Sequence, residues 1–451
     1  MAATMLDSVT YGPLWRSAAL AGLFEEIPRT RAWLEILAVL AEVEGEFGVI
    51  PAEAARGVAA SCRAVNVDAD LLAELAAARH RTGHSTAGLI EAVARRAPAV
   101  AAEWVHFGAT VQDLTDTWLM TALRTARTHL GAQVAAAAAT LAELARLHRA
   151  TPMPGRTHGQ EGLPITFGFK VAGWVAELRR HRARLAELAA RMDVGQLGGG
   201  VGSLAAFGPN ALALRARFCE RLGLRPPEIS WTSSRDVLAE WGAVLTLITG
   251  TADRIGHEVY NLQRDEIGEL GEAAVAGVIG SITMPHKRNP EISEHLGTLA
   301  RLVRHQAAAL LEGVVHDHER DGRAWKVEWQ AVPEITLMAG RAAELLAELA
   351  AGLEVRPGRM LQNLRAAGGK VGSEGLMLAL ARHTGRQTAH QLVYALAERA
   401  RASGESLSAA AQSDRQILQY LSPAQVEALL DPAGQVGQCA AMVDRVLSGD
   451  A

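Results

Sequence analysis

The chain has 451 residues, a formal net charge of −4, 49% hydrophobic and 21% charged residues, and three widely separated cysteines. This balance is that of a globular protein with a large core, and it gives no sign of a nucleic-acid partner, a membrane surface or a disulfide framework. With no secretory leader and no apolar run of membrane-spanning length, the sequence predicts a cytoplasmic protein with no nucleic-acid or membrane partner.

Strong helix formers dominate the sequence, and their apolar spacing predicts long helices. In chain order they are predicted at 31–47, 117–149, 164–192, 233–270, 291–315 and 333–353. Helices of this length must pack their apolar stripes along one another, so the predicted fold class is all-α with a central long-helix bundle. The stripes are broad, and we expect an oligomer to bury part of them.

The helical pattern also predicts three regions along the chain. An N-terminal helical domain is predicted at 1–109, a central helical bundle at 110–354 and a C-terminal helical domain at 355–451, where the helices become shorter. Glycine-rich stretches separate the long helices. Because binding residues tend to lie on loops that a rigid scaffold holds, these stretches are the candidate functional loops.

The strongest local signal is the segment at 280–290, Gly-Ser-Ile-Thr-Met-Pro-His-Lys-Arg-Asn-Pro. Lys287 and Asn289 offer a cation and an amide that could bind a carboxylate. Ser281, beside a glycine, could act as a base in a cationic environment. Taken alone, the segment also fits an ordinary surface loop with a solvated basic pair.

This segment resembles the GSSxMPxKxNP signature of the fumarase/aspartase superfamily, which includes adenylosuccinate lyase, argininosuccinate lyase and 3-carboxymuconate cycloisomerase. Seven positions match, and Ile282 stands where the family has a second serine. The resemblance implies that Ser281 is the catalytic base on a flexible loop. It also implies a homotetramer in which three subunits contribute to each active site.

Two further stretches are similar to the family in the same chain order. Residues 108–117 (GATVQDLTDT) resemble its first signature region, with Val111 where serine is usual. Residues 155–160 (GRTHGQ) resemble its second region, where threonine and histidine meet the substrate. The resemblance implies four substrate-binding residues in these stretches: Thr110, Gln112, Thr157 and Gln160.

Two histidines are candidate acids for the leaving group. A lone histidine in a loop is more often a surface hydrogen-bonding residue, but the resemblance implies that His158 is catalytic and pairs with Glu294. A carboxylate at that distance would orient the imidazole and raise its pKa, so that it could hold a proton. His84 resembles the histidine of a TRHD-like segment in adenylosuccinate lyase and is the second candidate. This chemistry requires no metal and no organic cofactor.

The stretches at 229–236 and 318–329 bear on the branch of the family. They look like the muconate cycloisomerase branch and supply Arg235 and Arg320 as predicted substrate-binding residues. Trp325 and Trp329 stand where adenylosuccinate lyase holds a nucleotide phosphate, which needs small donors and a guanidinium. A nucleotide substrate is therefore disfavoured.

These observations favour a lyase that releases fumarate from a small dicarboxylate, a nitrogen-substituted succinate such as an aspartate derivative or nitrosuccinate. Retention of His158 favours elimination with a leaving group that must be protonated. The alternative is 3-carboxy-cis,cis-muconate cycloisomerase, which runs the same proton chemistry as a lactonisation. Adenylosuccinate lyase is the second alternative, and a non-catalytic helical protein is a third possibility from a different class.

Overall fold

The computed structural model describes residues 4–274 and 281–449. In these ranges the fold is all-α, with four short strands in two antiparallel pairs. The predicted fold class is thereby confirmed. None of the described helices combines the length and apolarity that a membrane crossing requires.

Seven helices precede α8 in the described part of the chain, and α3, the predicted helix at 31–47, is the longest of them. They are α1 Gly12–Trp15, α2 Ala18–Ala21, α3 Glu26–Glu46, α4 Ala52–Ala64, α5 Ala69–Thr82, α6 Ala87–Arg96 and α7 Ala99–Ala102. Helix α3 begins five residues before the predicted start at 31, because Pro28 lies in its first turn, where a missing N–H costs no intrahelical hydrogen bond. Gly48, with φ +70°, follows the end of α3.

The long helices predicted from the apolar spacing are present. They are α8 Val111–Leu147, α9 Phe167–Met192, α11 Asp236–Gln263, α12 Glu291–Glu312 and α13 Gly322–Ala351, with the shorter α10 Ala211–Arg221 between α9 and α11. Helix α8 has 37 residues and is rich in alanine and leucine. Helix α11 ends seven residues before its predicted end, because the chain turns at Gly268 (φ +63°) and enters a strand.

The predicted start of the last long helix at Pro333 is wrong. Helix α13 begins at Gly322, and Pro333 lies inside it. Proline is favoured at the first turn of a helix, and this preference suggested a start there. In the helix interior proline removes one backbone hydrogen bond, a cost that the buried residues around it offset, among them Val332 and Ile335.

A β-hairpin occupies residues 152–166, between two predicted helices, and its last three residues lie where the helix at 164–192 is predicted to begin. Strand β1 (Pro152–Thr157) pairs antiparallel with β2 (Gln160–Thr166), and Thr157 pairs with Gln160 across the turn. A second, smaller pair joins β3 (Leu270–Gly271) to β4 (Glu354–Val355). The prolines in the hairpin are compatible with strand structure because a two-stranded ribbon has free edges.

Seven shorter helices complete the chain, as predicted for this region. They are α14 Pro357–Ala366, α15 Ser373–Thr384, α16 Arg386–Ser403, α17 Leu407–Ser413, α18 Arg415–Leu418, α19 Pro423–Leu430 and α20 Cys439–Ser448. Helix α19 has a capping box, in which Ser422 and Gln425 satisfy each other's backbone N–H groups.

The described residues form two compact units. The first contains 4–133, 181–250 and 298–344, and the second contains 134–180, 251–274, 281–297 and 345–449. A core in the first unit is built on α3 and α4, with Leu37 and Val58 fully buried. A core in the second unit is built on α15 to α19. The predicted division into three regions at 110 and 355 stays a prediction.

Candidate active site

The stretch at 108–113 leads into α8 in the first unit, and Asp113 fixes its geometry. The Asp113 carboxylate accepts hydrogen bonds from the backbone N–H groups of Thr110 (2.9 Å), Gly198 (2.8 Å) and Gly199 (2.9 Å). Burial raises the pKa of this carboxyl to about 7, and the three N–H donors oppose that rise. Asp113 therefore ties the start of α8, where partly buried Thr110 lies, to a glycine-rich turn.

Gln112, a predicted substrate-binding residue, is completely buried. Its amide nitrogen donates to the carbonyl of Thr232 (3.0 Å) and to the carboxylate of Asp116 (3.3 Å). Its amide oxygen accepts a hydrogen bond from Nε of Arg320. Within the described residues Nη2 of Arg320 is buried without a hydrogen-bond partner. Gln112 thus orients Arg320, whose guanidinium keeps one unused donor for an anion.

Arg235 lies at the centre of a buried ion-pair cluster. Its side chain is 1% exposed and donates to both carboxylate oxygens of Asp116, at 2.9 and 3.1 Å, and to Glu328, at 2.8 Å from Nε. Its guanidinium also stacks 4.9 Å from the ring of Trp231. Burial by itself would lower the pKa of Arg235, but the two carboxylates outweigh burial and hold this pKa above its usual range. This engagement favours a positioning role for Arg235 over direct contact with a substrate.

His84 is exposed just after α5, and it has a neighbour that the sequence analysis missed. His106 has a left-handed backbone (φ 62°), and its Nε2 is buried without a hydrogen-bond partner in the part of the chain described. Burial lowers the pKa of His106, a hydrogen bond with the backbone of Thr110 opposes this, and nearby His84 lowers it further. The available signal was its position two residues before Gly108, at the edge of the first motif.

In the second unit, the β1–β2 hairpin presents His158 at its tip. His158 (φ 53°) and Gly159 (φ 74°) form a two-residue turn in which both residues are left-handed, as in the type I′ turns that suit hairpins. Thr157 and Gln160 flank the turn, and all four residues are exposed. The turn therefore brings three predicted site residues together and directs them to the surface of the single chain.

A buried ion pair anchors this hairpin. Arg156, in β1, binds both oxygens of Glu269, at 2.8 and 2.6 Å, and the Glu269 side chain is 0% exposed. Asn363 also donates to Glu269, at 2.8 Å. A bidentate, charge-assisted pair of this kind fixes orientation as well as position. The exposed tip with His158 thus rises from a rigid base.

The segment at 281–290 carries the predicted base, and Gly280 before it lies outside the described residues. The Ser281 hydroxyl accepts a hydrogen bond from the backbone N–H of Met284 (3.1 Å), and the N–H of Lys287 donates to the Met284 carbonyl (2.9 Å). Ile282 is 95% exposed, and Lys287 is exposed as well. The serine is held at the start of a tight turn whose side chains point to solvent.

Helix α12 follows directly, and Glu272 caps it. The Glu272 carboxylate accepts from the backbone N–H groups of Ile292 (3.1 Å) and Ser293 (2.7 Å), as a carboxylate at a positive helix N-terminus does. Glu294 is exposed in the first turn of this helix, and Asn289 lies just before it, with its amide 3.4 Å from Glu291. The predicted pairing of Glu294 with His158 stays a prediction.

The predicted site residues therefore fall into two sets. Three of those in the first unit are held together by buried hydrogen bonds around Asp116, namely Gln112, Arg235 and Arg320, whereas Thr110 is bonded to Asp113 and His84 is exposed. Those of the second unit lie on two exposed structures, the hairpin tip and the segment leading into α12. In the described parts of the chain, no group of three or more His, Cys, Asp or Glu side chains is placed to hold a metal ion.

Comparisons with known proteins agree with the motifs. Residues 16–304 match the family model described as "Lyase", and residues 369–446 match the one described as "Adenylosuccinate lyase C-terminus". The chain is 36% identical over 448 residues to an N-acetyl-S-(2-succino)cysteine lyase of Enterococcus italicus, covering 99% of this chain and 98% of the relative.

Two other relatives are similar over nearly the whole length. A 3-carboxy-cis,cis-muconate cycloisomerase of Pseudomonas aeruginosa is 39% identical over 435 residues, covering 96% of this chain and 94% of that protein. The crystal structure of a fumarate lyase from Mesorhizobium sp. BNC1 superposes with a TM-score of 0.90 at 32% identity, covering 96% of this chain and 98% of the other.

Proposed function

This chain belongs to the fumarase/aspartase superfamily of lyases, and we propose that it eliminates a small, non-nucleotide group from a substituted succinate, with release of fumarate. The observation that carries the proposal is the hairpin turn. A histidine that can hold a proton for the leaving group stands at the exposed tip of a hairpin that a buried ion pair anchors.

The reaction begins with loss of a weakly acidic proton next to a carboxylate. Ser281, having lost its own proton in a cationic environment, takes this proton as an alkoxide and becomes a hydroxyl again. The resulting doubly charged aci-carboxylate needs fixed cations and N–H donors around it. Lys287 and Asn289 supply a cation and an amide on the same segment. Arg320 supplies a third group, since its buried Nη2 has an unused donor in the described structure.

Departure of the leaving group needs a second proton. His158 donates it, and Glu294 orients the imidazole. His84 is the second candidate for this step. We favour nitrogen as the departing atom, and the Enterococcus italicus relative, whose named substrate carries the succinyl group on sulfur, extends the choice to a thioether.

The exposure of His158, Thr157, Gln160 and Lys287 in the single chain supports the tetramer part of the proposal. Catalysis in water-filled surroundings would weaken every electrostatic interaction on which the mechanism depends. A homotetramer in which three subunits contribute to each site would cover these residues. Neither a metal nor an organic cofactor enters any step.

A second candidate is lactonisation of 3-carboxy-cis,cis-muconate, which the 39% identity to the Pseudomonas aeruginosa relative favours. It uses the same carbanion chemistry without release of fumarate. Adenylosuccinate is disfavoured as a substrate, because the rings of Trp325 and Trp329, in contact at 4.9 Å, take the place of phosphate-binding groups.

The test is a substrate panel followed by the ultraviolet absorbance of fumarate. The panel contains aspartate, N-substituted aspartates, nitrosuccinate, S-(2-succino)cysteine and its N-acetyl form, argininosuccinate, adenylosuccinate and 3-carboxymuconate. Fumarate from one of the small substituted succinates supports the proposal and identifies the leaving group. If 3-carboxymuconate is the one compound consumed, the protein is a cycloisomerase. If adenylosuccinate is the one compound turned over, the substrate is a nucleotide and the proposal is contradicted.

A further inference from the structure

A cavity of about 590 Å³ lies within the first unit and is lined by residues of α3, α5, α8 and α13. Five aromatic side chains form much of its wall. The ring centroids of Phe24 and Trp118 are 6.1 Å apart, those of Trp33 and Trp118 are 6.0 Å apart, and those of Trp325 and Trp329 are 4.9 Å apart. All three pairs are edge to face, a geometry that presents both ring faces and ring edges to an enclosed flat group.

A cation that the protein neutralises only weakly lies on one side of this wall. The Arg29 guanidinium stacks 5.3 Å from the Trp33 ring, and its Nε is buried without a hydrogen-bond partner among the described residues. Its ion pair with Glu26 is long, at 3.6 Å, and the Glu26 side chain is 69% exposed. Arg79 on α5 adds a second, exposed cation. An anionic group bound here would gain a partly buried guanidinium, 31% exposed, as its partner.

The acidic residues of the cavity do not oppose such a ligand directly. Three acidic residues line the cavity: Glu26, Asp116 and Glu328. Asp116 and Glu328 bind the buried guanidinium of Arg235, and Glu26 is 69% exposed and forms the long ion pair with Arg29. The cavity therefore has a paired, acidic side and a cationic side with an unused donor. This asymmetry orients an amphipathic anion with its charged end toward Arg29.

Two residues that line the cavity are direct neighbours of proposed site residues. Ser85 lines it directly after His84, and Asp116 lines it one helical turn after Gln112, to which it is hydrogen-bonded. A group that occupies the cavity would thus be adjacent to the residues proposed to bind the succinate part of the substrate and to protonate the departing atom.

We infer that this aromatic cavity is the subsite for the leaving group, and that the leaving group it fits has a flat apolar body with one anionic end. The inference rests on the proposed elimination and makes it more specific. It distinguishes this protein from a lyase for aspartate itself, whose leaving ammonia would leave the cavity empty. The residues that determine the specificity are Trp329 and Arg29.

The experiment measures binding of an unreactive probe, 2-naphthoate, to the intact enzyme by titration calorimetry, with neutral 2-naphthamide as its matched control. We expect Trp329→Ala to weaken the binding of both probes about 3- to 10-fold, because one face of the aromatic wall is lost. We expect Arg29→Met to weaken naphthoate about 10-fold or more and to leave the naphthamide affinity unchanged. Tyr394→Ala, which removes an exposed aromatic side chain outside the cavity, should change neither affinity.

Turnover then separates this inference from the proposed function. With a substrate that yields fumarate, 2-naphthoate should raise KM and leave kcat unchanged, and an N-substituted aspartate with an aryl carboxylate should turn over faster than aspartate. Fumarate formation without any binding of 2-naphthoate would overturn the cavity assignment and leave the elimination intact. Binding that does not compete with substrate would overturn the assignment to the leaving group.

Discussion

The two sets of candidate site residues differ in how the chain holds them. Around Asp116 the buried side chains bind one another over long sequence separations, and Arg235 binds Glu328, 93 positions away, with 1% and 3% of their side chains exposed. The hairpin tip and the segment from Ser281 to Lys287 are exposed, and their hydrogen bonds are mostly local. The residues proposed to position substrate are therefore buried and hydrogen-bonded within one chain, whereas those proposed to transfer protons lie exposed or partly exposed on its surface.

The largest effect on kcat is expected in the exposed segment that carries Ser281. Ser281→Ala should lower kcat about 10³- to 10⁴-fold, because removal of a general base loses most of its contribution to the barrier. Since Ser281 is partly exposed and, among the described residues, its hydroxyl bonds the turn that follows it, the thermal unfolding midpoint should not change. Thr283→Ala, the loss of a neighbouring exposed hydroxyl, is the control and should retain turnover. An active Ser281→Ala enzyme would remove this residue as the base.

The next largest effect is expected in the buried cluster around Asp116, and it is a loss of unfolding free energy. Arg235→Met leaves two carboxylates buried without their cation, which should lower the free energy of unfolding by about 3–5 kcal/mol in denaturant titrations. Arg323→Met breaks ion pairs whose arginine side chain is 79% exposed and should have little measurable effect. If both variants unfold like the parent protein, the buried cluster does not hold this region together.

His158 tests the turn and the chemistry separately. Asn tolerates the left-handed backbone, so His158→Asn should keep the hairpin and the unfolding midpoint while kcat falls about 10²-fold. His158→Ala should show the same loss of kcat together with strain in the turn. The loss should be smallest with nitrosuccinate, whose nitrite departs as a stable anion without a proton. Equal losses on all leaving groups would argue against His158 as the acid.

The smallest effect is expected at a buried carboxyl of the first unit that, unlike Asp116 and Glu328, has no cation beside it in the described structure. Glu44 is completely buried, and neither carboxylate oxygen has a hydrogen-bond partner within the described chain. Burial raises its pKa from 4.5 to about 9, so the folded state binds a proton that the unfolded state releases over this range. Stability due to this residue therefore falls as the pH rises from about 5 to 9.

Replacing Glu44 by an apolar residue should remove this pH dependence of the unfolding free energy. Glu44→Met should raise the free energy of unfolding by about 1–3 kcal/mol at neutral pH, and the gain should grow up to pH 9. Denaturant titrations at several pH values and a fixed protein concentration measure it, with exposed Glu53→Gln as the control. A gain that is independent of pH would show that Glu44 is ionised in the folded protein.

Much of the fold was predictable because long amphipathic helices carry a strong periodic signal. Helix α8 was expected at 117–149 and lies at Val111–Leu147. The β1–β2 hairpin was missed because its three prolines and its glycines conceal the alternation of strands. Pro333 misled the prediction for α13, since proline marks a helix start more often than an interior position.

Sequence motifs identified several candidate site residues, but they could not predict which side chains contact one another. Ser281, His158 and Lys287 were named from local sequence, and their local surroundings follow from turns close in the chain. The partners of Arg235, by contrast, lie 119 and 93 positions away, and only folding brings them together. A buried guanidinium and one that binds substrate look alike in a sequence. His106 lies outside the motif that begins at Gly108, and its backbone angle and buried nitrogen distinguish it in the structure.

The left-handed backbone at the hairpin tip also limits which substitutions evolution can accept there. Besides glycine, the residues that adopt this conformation readily are asparagine, aspartate and histidine. Of these, histidine is the one whose ordinary pKa lies near neutral. The left-handed backbone of the turn and the proposed role as proton donor therefore both favour histidine at position 158. A descendant that no longer needed the acid could exchange it for asparagine or glycine in one step and keep the hairpin, so this fold is well placed to move between elimination and isomerisation.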